Sequence, residues 1–388
     1  MALVGERALK WLFQKVPLTL KLARWLLARD RYVVAIGGHG GKAFDDNSRA
    51  FAKHLRNDPG YMVVWFAGDN ATAQRARRSK LRVVRKGTGK ASIVLLIAHA
   101  AVYSHNISDL YTATAQRVPW RVDVHLGHGV WGLKQAERRP STTPRWRPDL
   151  IIAASEKEAA LKSDVYHVPP ERVLALGLPK HDALIQPQPP RDTRGYLNVL
   201  YAPTWRDWLQ HSASEFAISH HLEAIKLLSE AIPPIARSDR PIRVTYLLHK
   251  NIRHIRKLAK EYCSSAGFSF AVSTDVDVGD LLENCDWLIS DHSGLIWDFM
   301  VQGRPTARYV FDEAIYSKLT GGYPEVEQIA APITFGNASD VWDFLLDDRA
   351  AAIAKRLSRI VTPLADGMAS ERLEMRLAAA IRAREGEL

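Results

Sequence analysis

The chain has 388 residues, of which 47% are hydrophobic and 24% are charged, a composition typical of a globular protein of about two domains. Two cysteines are too few for a disulfide framework and favour a reducing compartment, and no apolar run reaches the roughly 18 to 20 residues that span a membrane. The net charge of +11 and the pI near 9.6 indicate an anionic partner: nucleic acid, a phosphate-bearing substrate or an anionic membrane surface.

Residues 1–29 have the pattern of one or two amphipathic helices, interrupted near Pro17. Apolar side chains recur at helical spacing from Leu9 to Val16 and again from Leu22 to Leu26, with Lys and Arg on the other faces. Such a segment either lies in a membrane interface or docks on its own domain, and the pattern leaves both open. Its interspersed basic residues and the lack of a small-residue cleavage site argue against a signal peptide.

From residue 31 onward, strand and helix patterns alternate, which predicts parallel sheets built from βα units. In the first half the predicted strands are 32–36, 61–67, 121–126, 150–153 and 173–176, and the predicted helices are 48–55 and 156–161. The glycine cluster 37–41 fits neither dinucleotide-binding nor P-loop spacing, so it is interpreted as a tight turn.

A long stretch of the first half contains no acidic residue. Between Asp69 and Asp109 every charged side chain is basic, which favours a surface that meets anions. Base-stacking aromatic residues are not interleaved with these cations, so a phosphate-rich membrane or substrate is favoured over nucleic acid. The basic residues are Arg75, Arg77, Arg78, Lys80, Arg82, Arg85, Lys86 and Lys90.

One histidine stands between two glycines where a predicted strand ends. His128 follows strand 121–126, and ligands of open α/β sheets bind at the carboxyl ends of strands. An imidazole titrates near neutrality and suits proton transfer, so His128 is a candidate general base. The alternative is a loop histidine satisfied by a backbone carbonyl. Lys134 is close enough in sequence to add positive charge.

The Pro-rich segment 186–192 predicts a domain boundary, and a second set of alternating elements follows it. Its predicted strands are 199–201, 243–248, 268–272, 287–289 and 306–310, with a helix at 215–231. Polar residues again follow the strand ends, which indicates one crevice between two facing halves, a GT-B-like architecture. They are Thr204, Arg206, His249, Lys250, Asp291 and Ser293.

The segment 287–299 has the pattern of a strand that passes into a helix through Ser-Asp-His-Ser-Gly. The free amides of a first helical turn favour an anion, Ser293 adds a hydroxyl donor, and Gly294 would allow close approach of a phosphate. The alternative is an ordinary βα turn with Ser293 or Asp291 as the N-cap.

The predicted domains are 1–29, 30–187 and 195–365, and a final helix in 366–388 is expected to cross back to the first domain.

Seven motifs in this order resemble those of the CDP-glycerol glycerophosphotransferase family, over about residues 36 to 330. They are Phe44-Asp45-Asp46-Asn47-Ser48, Gly127-His128-Gly129 with Lys134, Gly177-Leu178-Pro179-Lys180-His181-Asp182, Leu200-Tyr201-Ala202-Pro203-Thr204-Trp205-Arg206-Asp207, His249-Lys250, Ser290-Asp291-His292-Ser293-Gly294 with Asp298-Phe299, and Phe311-Asp312 with Tyr316 and Gly322-Tyr323.

The resemblance implies transfer of glycerol phosphate, or another polyol phosphate, from CDP-glycerol or CDP-ribitol to a hydroxyl of a lipid-linked saccharide or growing polymer, releasing CMP. It implies teichoic acid or capsule synthesis by a peripheral enzyme on the cytoplasmic side of the membrane. His128 matches the base, and His249, protonated or donating, is the second catalytic histidine. Donor-binding positions are Thr204, Arg206, His249, Lys250, Asp291, Ser293, Gly294 and Asp298, and acceptor or membrane positions are Asp46, Asn47, Lys134, Arg75, Arg77 and Arg78.

Two other functions remain open at this point. A GT-B glycosyltransferase would share the crevice, and a non-catalytic polyanion-binding protein would share the charge.

The chain departs from the family at Val130-Trp131, at His292 and Gly294, and at Lys250, which bears on the polyol and the acceptor more than on the reaction. No metal-ligand spacing occurs, so the sequence predicts no metal site, and it leaves open a divalent-ion requirement, the oligomeric state and the number of units added.

Overall fold

A computed structural model describes residues 20, 23–24, 26–28, 31–111, 118–135, 148–186, 195–209, 214–234, 240–276 and 278–386 of the chain. It contains two parallel sheets with helices on their faces, so the predicted α/β class is confirmed. Most of the predicted amphipathic segment 1–29 lies outside the described residues; those described between 20 and 28 are helical. No helix in the described ranges is both long enough and apolar enough to cross a membrane.

The first sheet has seven strands in the order β3-β2-β1-β4-β5-β6-β7. After the neighbouring parallel strands β1 and β4 the chain continues to opposite sides, to β2 and to β5, so a crevice opens at their carboxyl ends. In chain order the elements are β1 (Tyr32–Gly37), α1 (Asp46–Leu55), β2 (Tyr61–Ala67), α2 (Asn70–Arg78), β3 (Arg82–Arg85), α3 (Gly89–Ile97), β4 (Ala100–Tyr103), β5 (Val122–His125), β6 (Leu150–Ala153), α4 (Glu156–Tyr166), β7 (Val173–Ala175) and α5 (Pro179–Ile185).

The second sheet has six strands in the order β10-β9-β8-β11-β12-β13, with the same kind of opening between β8 and β11. Its elements are β8 (Leu197–Tyr201), α6 (Glu215–Glu230), β9 (Ile242–Leu248), α7 (Arg256–Ser265), β10 (Ser269–Val272), α8 (Val278–Asn284), β11 (Trp287–Ser290), α9 (Leu295–Met300), β12 (Thr306–Tyr309), α10 (Glu313–Leu319), α11 (Pro324–Ala330) and β13 (Thr334–Phe335). Three helices follow: α12 (Ala338–Leu345), α13 (Ala350–Val361) and α14 (Ala369–Gly386).

Alternate residues of the first sheet pack into two different cores, as the two-residue period of a strand requires. Val33 and Ala35 of β1 face a layer formed by α3 and the helical residues between 20 and 28. Val34 and Ile36 face a layer formed by α1, α2 and α14. The segment 69–109, rich in basic residues, is therefore spread over both faces of the sheet and its edge strand β3.

The histidine loop after β5 reaches the second half of the chain. The backbone amide of Tyr323 donates to the Gly132 carbonyl at 2.9 Å, and the backbone amide of Gln135 donates to the Gly321 carbonyl at 2.9 Å. Gly132 has φ of 127°, and a Cβ there would lie 2.5 Å from a methyl group of Val326. Only glycine fits this crossing point, which fixes the loop against α11.

A buried carboxylate also joins the two halves. Asp298 of α9 is 2.8 Å from the Lys180 Nζ atom and 2.8 Å from the His181 Nε2 atom, both on α5. Burial alone would raise the pKa of Asp298, but the charge of Lys180 and the hydrogen bond from His181 lower it below its usual value. An ionised carboxylate therefore links the two halves of the chain, and we call this contact the interdomain clamp after the predicted domains.

Asp298→Ala should destabilise the protein, because the substitution leaves Lys180 and His181 without their carboxylate partner. Loss of one member of a buried ion pair lowers the free energy of unfolding by about 3 to 5 kcal/mol. Urea unfolding followed by tryptophan fluorescence measures the change. Glu230→Ala is the matched control, because its contact with Lys226 is solvent-exposed. Equal, small effects of both substitutions would show that the clamp does not hold the halves together.

Candidate active site between the two sheets

Three neighbouring strands of the first sheet each deliver a histidine to the crevice. His39 follows β1, His105 follows β4 and His128 follows β5. The His39 and His105 ring centroids are 3.7 Å apart, and the His105 and His128 rings are nearly parallel, at 10°, with centroids 4.5 Å apart. We call these three side chains the histidine row.

The second sheet meets this row through the residues that follow β9. Lys250 donates from Nζ to the Nδ1 atom of His39 at 2.5 Å, and its neighbour His249 packs beside Trp205. The charge of Lys134, on the histidine loop, lowers the pKa of both His128 and His249. The two predicted catalytic histidines therefore lie in one crevice.

His128 has the protonation state that a general base requires. Its side chain is open to the crevice. Enclosure by the crevice walls, followed by the charges of Lys134 and Lys180, lowers its pKa well below the usual value. The imidazole is therefore neutral near pH 7 and able to accept a proton.

His249 is a neutral hydrogen-bond donor. Burial and the charges of Lys250 and Lys134 lower the pKa of His249 to about 3, which favours the donating form over the protonated form among the two considered from sequence. Its Nδ1 atom accepts from the Asn251 amide at 3.2 Å. This bond places the ring proton on Nε2, which is the donating form that the sequence analysis also considered.

The predicted donor contacts of Arg206 and Asp291 need correction. Arg206 is 1% exposed and lies 2.8 Å from Asp291 and 2.7 Å from Asp312. Burial alone would raise the pKa of Asp291, but Arg206, His292 and the hydrogen bonds from Thr204 lower it to about 2. The Thr204 amide donates to Asp291 at 2.7 Å. These side chains brace the strand ends, because the Nε and Nη2 atoms of Arg206 bind the two carboxylates and its Nη1 atom donates to the Thr204 carbonyl.

Two further side chains that were predicted to bind substrate or membrane instead bind other residues of the protein. Asp298, predicted to bind the donor, forms the interdomain clamp. Asn47, predicted to meet the acceptor or the membrane, is fully buried; it donates to the Gly127 carbonyl at 3.0 Å and accepts from the Lys180 amide at 3.2 Å. Asn47 therefore shapes the start of the histidine loop.

Asp46 is the first residue of α1, and both its backbone conformation and the pKa of its carboxyl group depart from the ordinary. Its φ of 61° is in the left-handed region, and its carboxylate is 3.2 Å from the Lys180 Nζ atom. Burial raises the pKa of Asp46 to about 6 although the charge of Lys180 opposes the shift. Asp46 therefore changes charge close to neutrality at the edge of the crevice.

The turn before α9 holds its two predicted donor-binding residues in contacts within the protein. The Ser293 Oγ atom accepts from the Leu295 amide at 3.2 Å, so Ser293 contributes to the turn that begins the helix. A Cβ at Gly294 would lie 2.9 Å from the Val130 carbonyl oxygen. Glycine at 294 thus allows close contact with the histidine loop, and its role in phosphate approach stays a prediction.

A cavity of about 460 Å³ lies beside His39 and Lys250, between the two sheets. Lys42 and Arg75 line it from the first half, and Lys250 and Arg253 line it from the second. Arg77 and Arg78 are exposed on α2 and are absent from its lining. Apolar side chains complete the wall, among them Phe44, Val276 and Val278.

The sequence analysis did not identify His39, His105 or Lys180 as site residues. A detectable signal was present for His39, because it follows a predicted strand just as His128 does. His105 lacked that signal, because β4 was not predicted. Lys180 donates from Nζ to the His128 carbonyl at 2.9 Å and so supports the backbone of the candidate base.

Solved structures with the same overall fold include the wall teichoic acid polymerase TagF soaked with CDPG. It has a TM-score of 0.68 and 16% identity, over 98% of this chain and 97% of that one. An S. aureus MnaA–UDP structure has a TM-score of 0.59 and 15% identity, over 88% and 94% of the two chains. This likeness confirms the predicted GT-B-like fold class.

Curated relatives point to the same group of proteins. A teichoic acid glycerol-phosphate transferase of Staphylococcus aureus is 25% identical over 49% of this chain and 48% of its own length. A teichoic acid glycerol-phosphate primase of Bacillus spizizenii is 24% identical over 58% of this chain and 57% of its own length. A teichoic acid poly(glycerol phosphate) polymerase of Staphylococcus epidermidis is 24% identical over 49% of this chain, but only 26% of its own length.

The chain thus spans between about a quarter and somewhat over half of these relatives. The sequence model of one family, described as CDP-Glycerol:Poly(glycerophosphate) glycerophosphotransferase, matches residues 20–378 and so covers most of the chain. The resemblance inferred from the seven motifs is confirmed, and the chain belongs to this family of transferases.

Proposed function

We propose that this protein transfers glycerol phosphate from CDP-glycerol to a hydroxyl group of a teichoic acid acceptor and releases CMP. The observation that carries the proposal is a neutral histidine, His128, that stacks on His105 in the histidine row. At the other end of the row, His39 lines the cavity to which both halves of the chain contribute cations. This arrangement pairs a base for a hydroxyl with positive charge for a diphosphate. Membership in the glycerophosphotransferase family supports the same reaction.

In the proposed reaction, His128 accepts the proton of the acceptor hydroxyl. The acceptor oxygen attacks the phosphorus that carries glycerol, and a new P–O bond forms while the bond from that phosphorus to the bridging oxygen breaks. The bridging oxygen leaves with CMP, and its added negative charge is stabilised by positively charged side chains and by the His249 Nε2 proton. Among the charged groups, Lys134 has the largest effect on the pKa of His128, and Lys250 has the largest effect on the pKa of His249.

We place the donor at the cavity beside His39 and Lys250. Its cations, Lys250 and Arg253, suit the diphosphate, and its apolar wall at Val276 and Val278 suits a base and ribose. The acceptor, a lipid-linked saccharide or a growing polymer, then approaches from the side of His128. The donor polyol is proposed to be glycerol, with ribitol as the alternative to be tested with CDP-ribitol.

His128→Ala should lower the rate of transfer by about 100-fold to 10,000-fold, which is the usual contribution of a general base. Radiolabelled CDP-glycerol is incubated with membranes, with and without EDTA, and the label in polymer or lipid is counted. His167→Asn is the control, because His167 is exposed at the end of α4 and its left-handed backbone suits Asn.

Near-normal transfer by His128→Ala would contradict the assignment of the base. Label incorporated only from a nucleotide sugar would instead support a glycosyltransferase. Binding of nucleic acid without turnover of either donor would support the polyanion-binding alternative.

We further propose that the protein binds the anionic membrane surface through the outer side of the layer formed by α3 and the helical residues between 20 and 28. Ile93 and Leu96 of α3 are 52% and 54% exposed, and Leu26 and Leu27 are 61% and 52% exposed. Exposed cations accompany them, namely Lys90 of α3 and Arg82 of the neighbouring edge strand, which shares a face of β3 with Val84. Apolar side chains with flanking cations are the combination that binds anionic lipid.

Replacing Ile93 and Leu96 together by Ser should weaken binding to phosphatidylglycerol vesicles by about tenfold or more, because each side chain loses on the order of 1 kcal/mol or more of apolar burial. Vesicle co-sedimentation measures the effect. The matched control replaces Ile360 of α13 and Met375 of α14 by Ser. These side chains are 43% and 65% exposed but lie outside the proposed membrane surface. The same binding by both double variants, or equal binding to neutral phosphatidylcholine, would argue against this surface.

A further inference from the structure

His105 is the central ring of the histidine row. Its ring lies nearly parallel to that of His128, with centroids 4.5 Å apart, and its other neighbour is the His39 ring at 3.7 Å. Parallel rings at this distance cover one face of each other. His105 therefore contacts the candidate base over the face of its ring.

The backbone around His105 is held by a buried carboxylate. Asp109, which is fully buried, accepts from the amides of Ser104 and His105 at 3.1 and 2.9 Å. Its other oxygen accepts from the Gly40 amide at 2.7 Å, which joins the loops after β1 and β4. These hydrogen bonds fix the position from which the His105 side chain leaves the backbone.

The His105 ring is also fixed in orientation. Its Nδ1 atom accepts from the His39 amide at 3.4 Å, so the ring proton is carried on Nε2. Burial, followed by the charges of the neighbouring histidines and Lys250, lowers the pKa of His105 well below its usual value. The ring is therefore neutral and does not repel a proton that arrives on His128.

We propose that His105 is a positioning residue for the general base: its ring fixes the rotation of the His128 imidazole and keeps water from one face of it. This inference rests on the proposed function, in which His128 accepts the proton of the acceptor hydroxyl. His105 contacts the base and is not assigned any contact with substrate. The ring, and not its nitrogen atoms, is the part of His105 that this role requires.

The surroundings of His128 determine what loss of the His105 ring would do. Cations and histidines on separate elements reduce the affinity of His128 for a proton, and burial is the largest cause. Two carboxylates near this set, Asp46 and Asp298, are both paired with Lys180. Two more lie against the neighbouring rings: Asp45 is 3.8 Å from His39, and Asp109 is 3.9 Å from His105. The groups that face His128 are Lys134 of its own loop, Lys180 of α5, His125 of β5, and His39 and His105 after β1 and β4, with Asp46 and Asp298 as the paired carboxylates.

Water in place of the His105 ring would solvate the imidazolium form of His128 and raise its pKa toward the ordinary value of about 6.5. A base is active only when it is unprotonated. A raised pKa therefore moves the acidic limb of the rate profile to higher pH, and activity near pH 6 is lost. Loss of ring contact also allows the base to rotate, which lowers kcat even at high pH.

Three substitutions separate the ring from its nitrogen atoms. His105→Phe keeps the covering ring without Nδ1, His105→Asn keeps an acceptor for the His39 amide without the ring, and His105→Ser removes both. We expect His105→Phe to keep the acidic limb and to transfer within about threefold of the parent rate. Both ringless variants should lose about 10-fold to 100-fold in kcat, with little change in KM for CDP-glycerol.

A nuclear magnetic resonance titration of the His128 ring gives a readout that needs no activity. The protein is labelled with carbon-13 histidine, and the signal of His128 is identified by its absence from His128→Ala. We expect the pKa of His128 to remain low in His105→Phe and to rise in His105→Asn and His105→Ser. Because Asn can still accept from the His39 amide, it provides a ringless variant if His105→Ser does not fold.

The inference would be overturned if the ringless variants kept the parent titration and the parent rate, or if His105→Phe behaved as they do. These failures are distinct from failure of the proposed function. If the parent protein transfers no glycerol phosphate, the proposed function is wrong, while the titration still decides whether the His105 ring controls the environment of His128.

Discussion

The contact between the two sheets is the constraint on which the rest of the site depends. Lys180 bridges the carboxylate of Asp298 in the second half and that of Asp46 in the first, and it also donates to the His128 carbonyl. One side chain thus connects the domain interface to the backbone of the candidate base. Gly294 allows the same interface to close against Val130, because a larger residue would meet a carbonyl oxygen.

Two physical effects act together inside the crevice. Burial and neighbouring cations both favour the neutral form of an imidazole, so His39, His128 and His249 remain uncharged while Lys134 and Lys250 remain available to an anion. The same positive charge that would hold a diphosphate therefore also keeps the base unprotonated. Acceptance of a proton by His128 becomes easier as negative charge builds on the bound phosphates, which links base catalysis to charge stabilisation.

The sequence was sufficient to predict the elements that carry strong local patterns. Strands 61–67 and 150–153 have the predicted bounds, and the glycines around His128 correctly marked a strand end in the crevice. The strand β4 was missed because its four residues follow the apolar helix α3 after only two residues, and periodicity does not separate such short apolar runs. His105 was missed with it.

Other differences arose because a sequence does not show which charges pair. Arg206 and Asp291 stand after strand ends, where ligand-binding residues are common, yet they are partners of each other. Asp298 and Asn47 likewise belong to the interface and the loop rather than to a substrate surface. Long-range pairing of this kind depends on how the two sheets meet, which no local pattern contains. The predicted domain boundaries at 187–195 and 365–366 stay predictions.

The most direct test of a shared donor site between the sheets is a crystal structure of the protein soaked with CDP-glycerol. We predict the diphosphate beside Lys250 and Arg253, with the phosphorus that carries glycerol facing the His128 ring across the crevice. Nucleotide bound elsewhere on the surface, or bound with its diphosphate directed away from His128, would contradict the account.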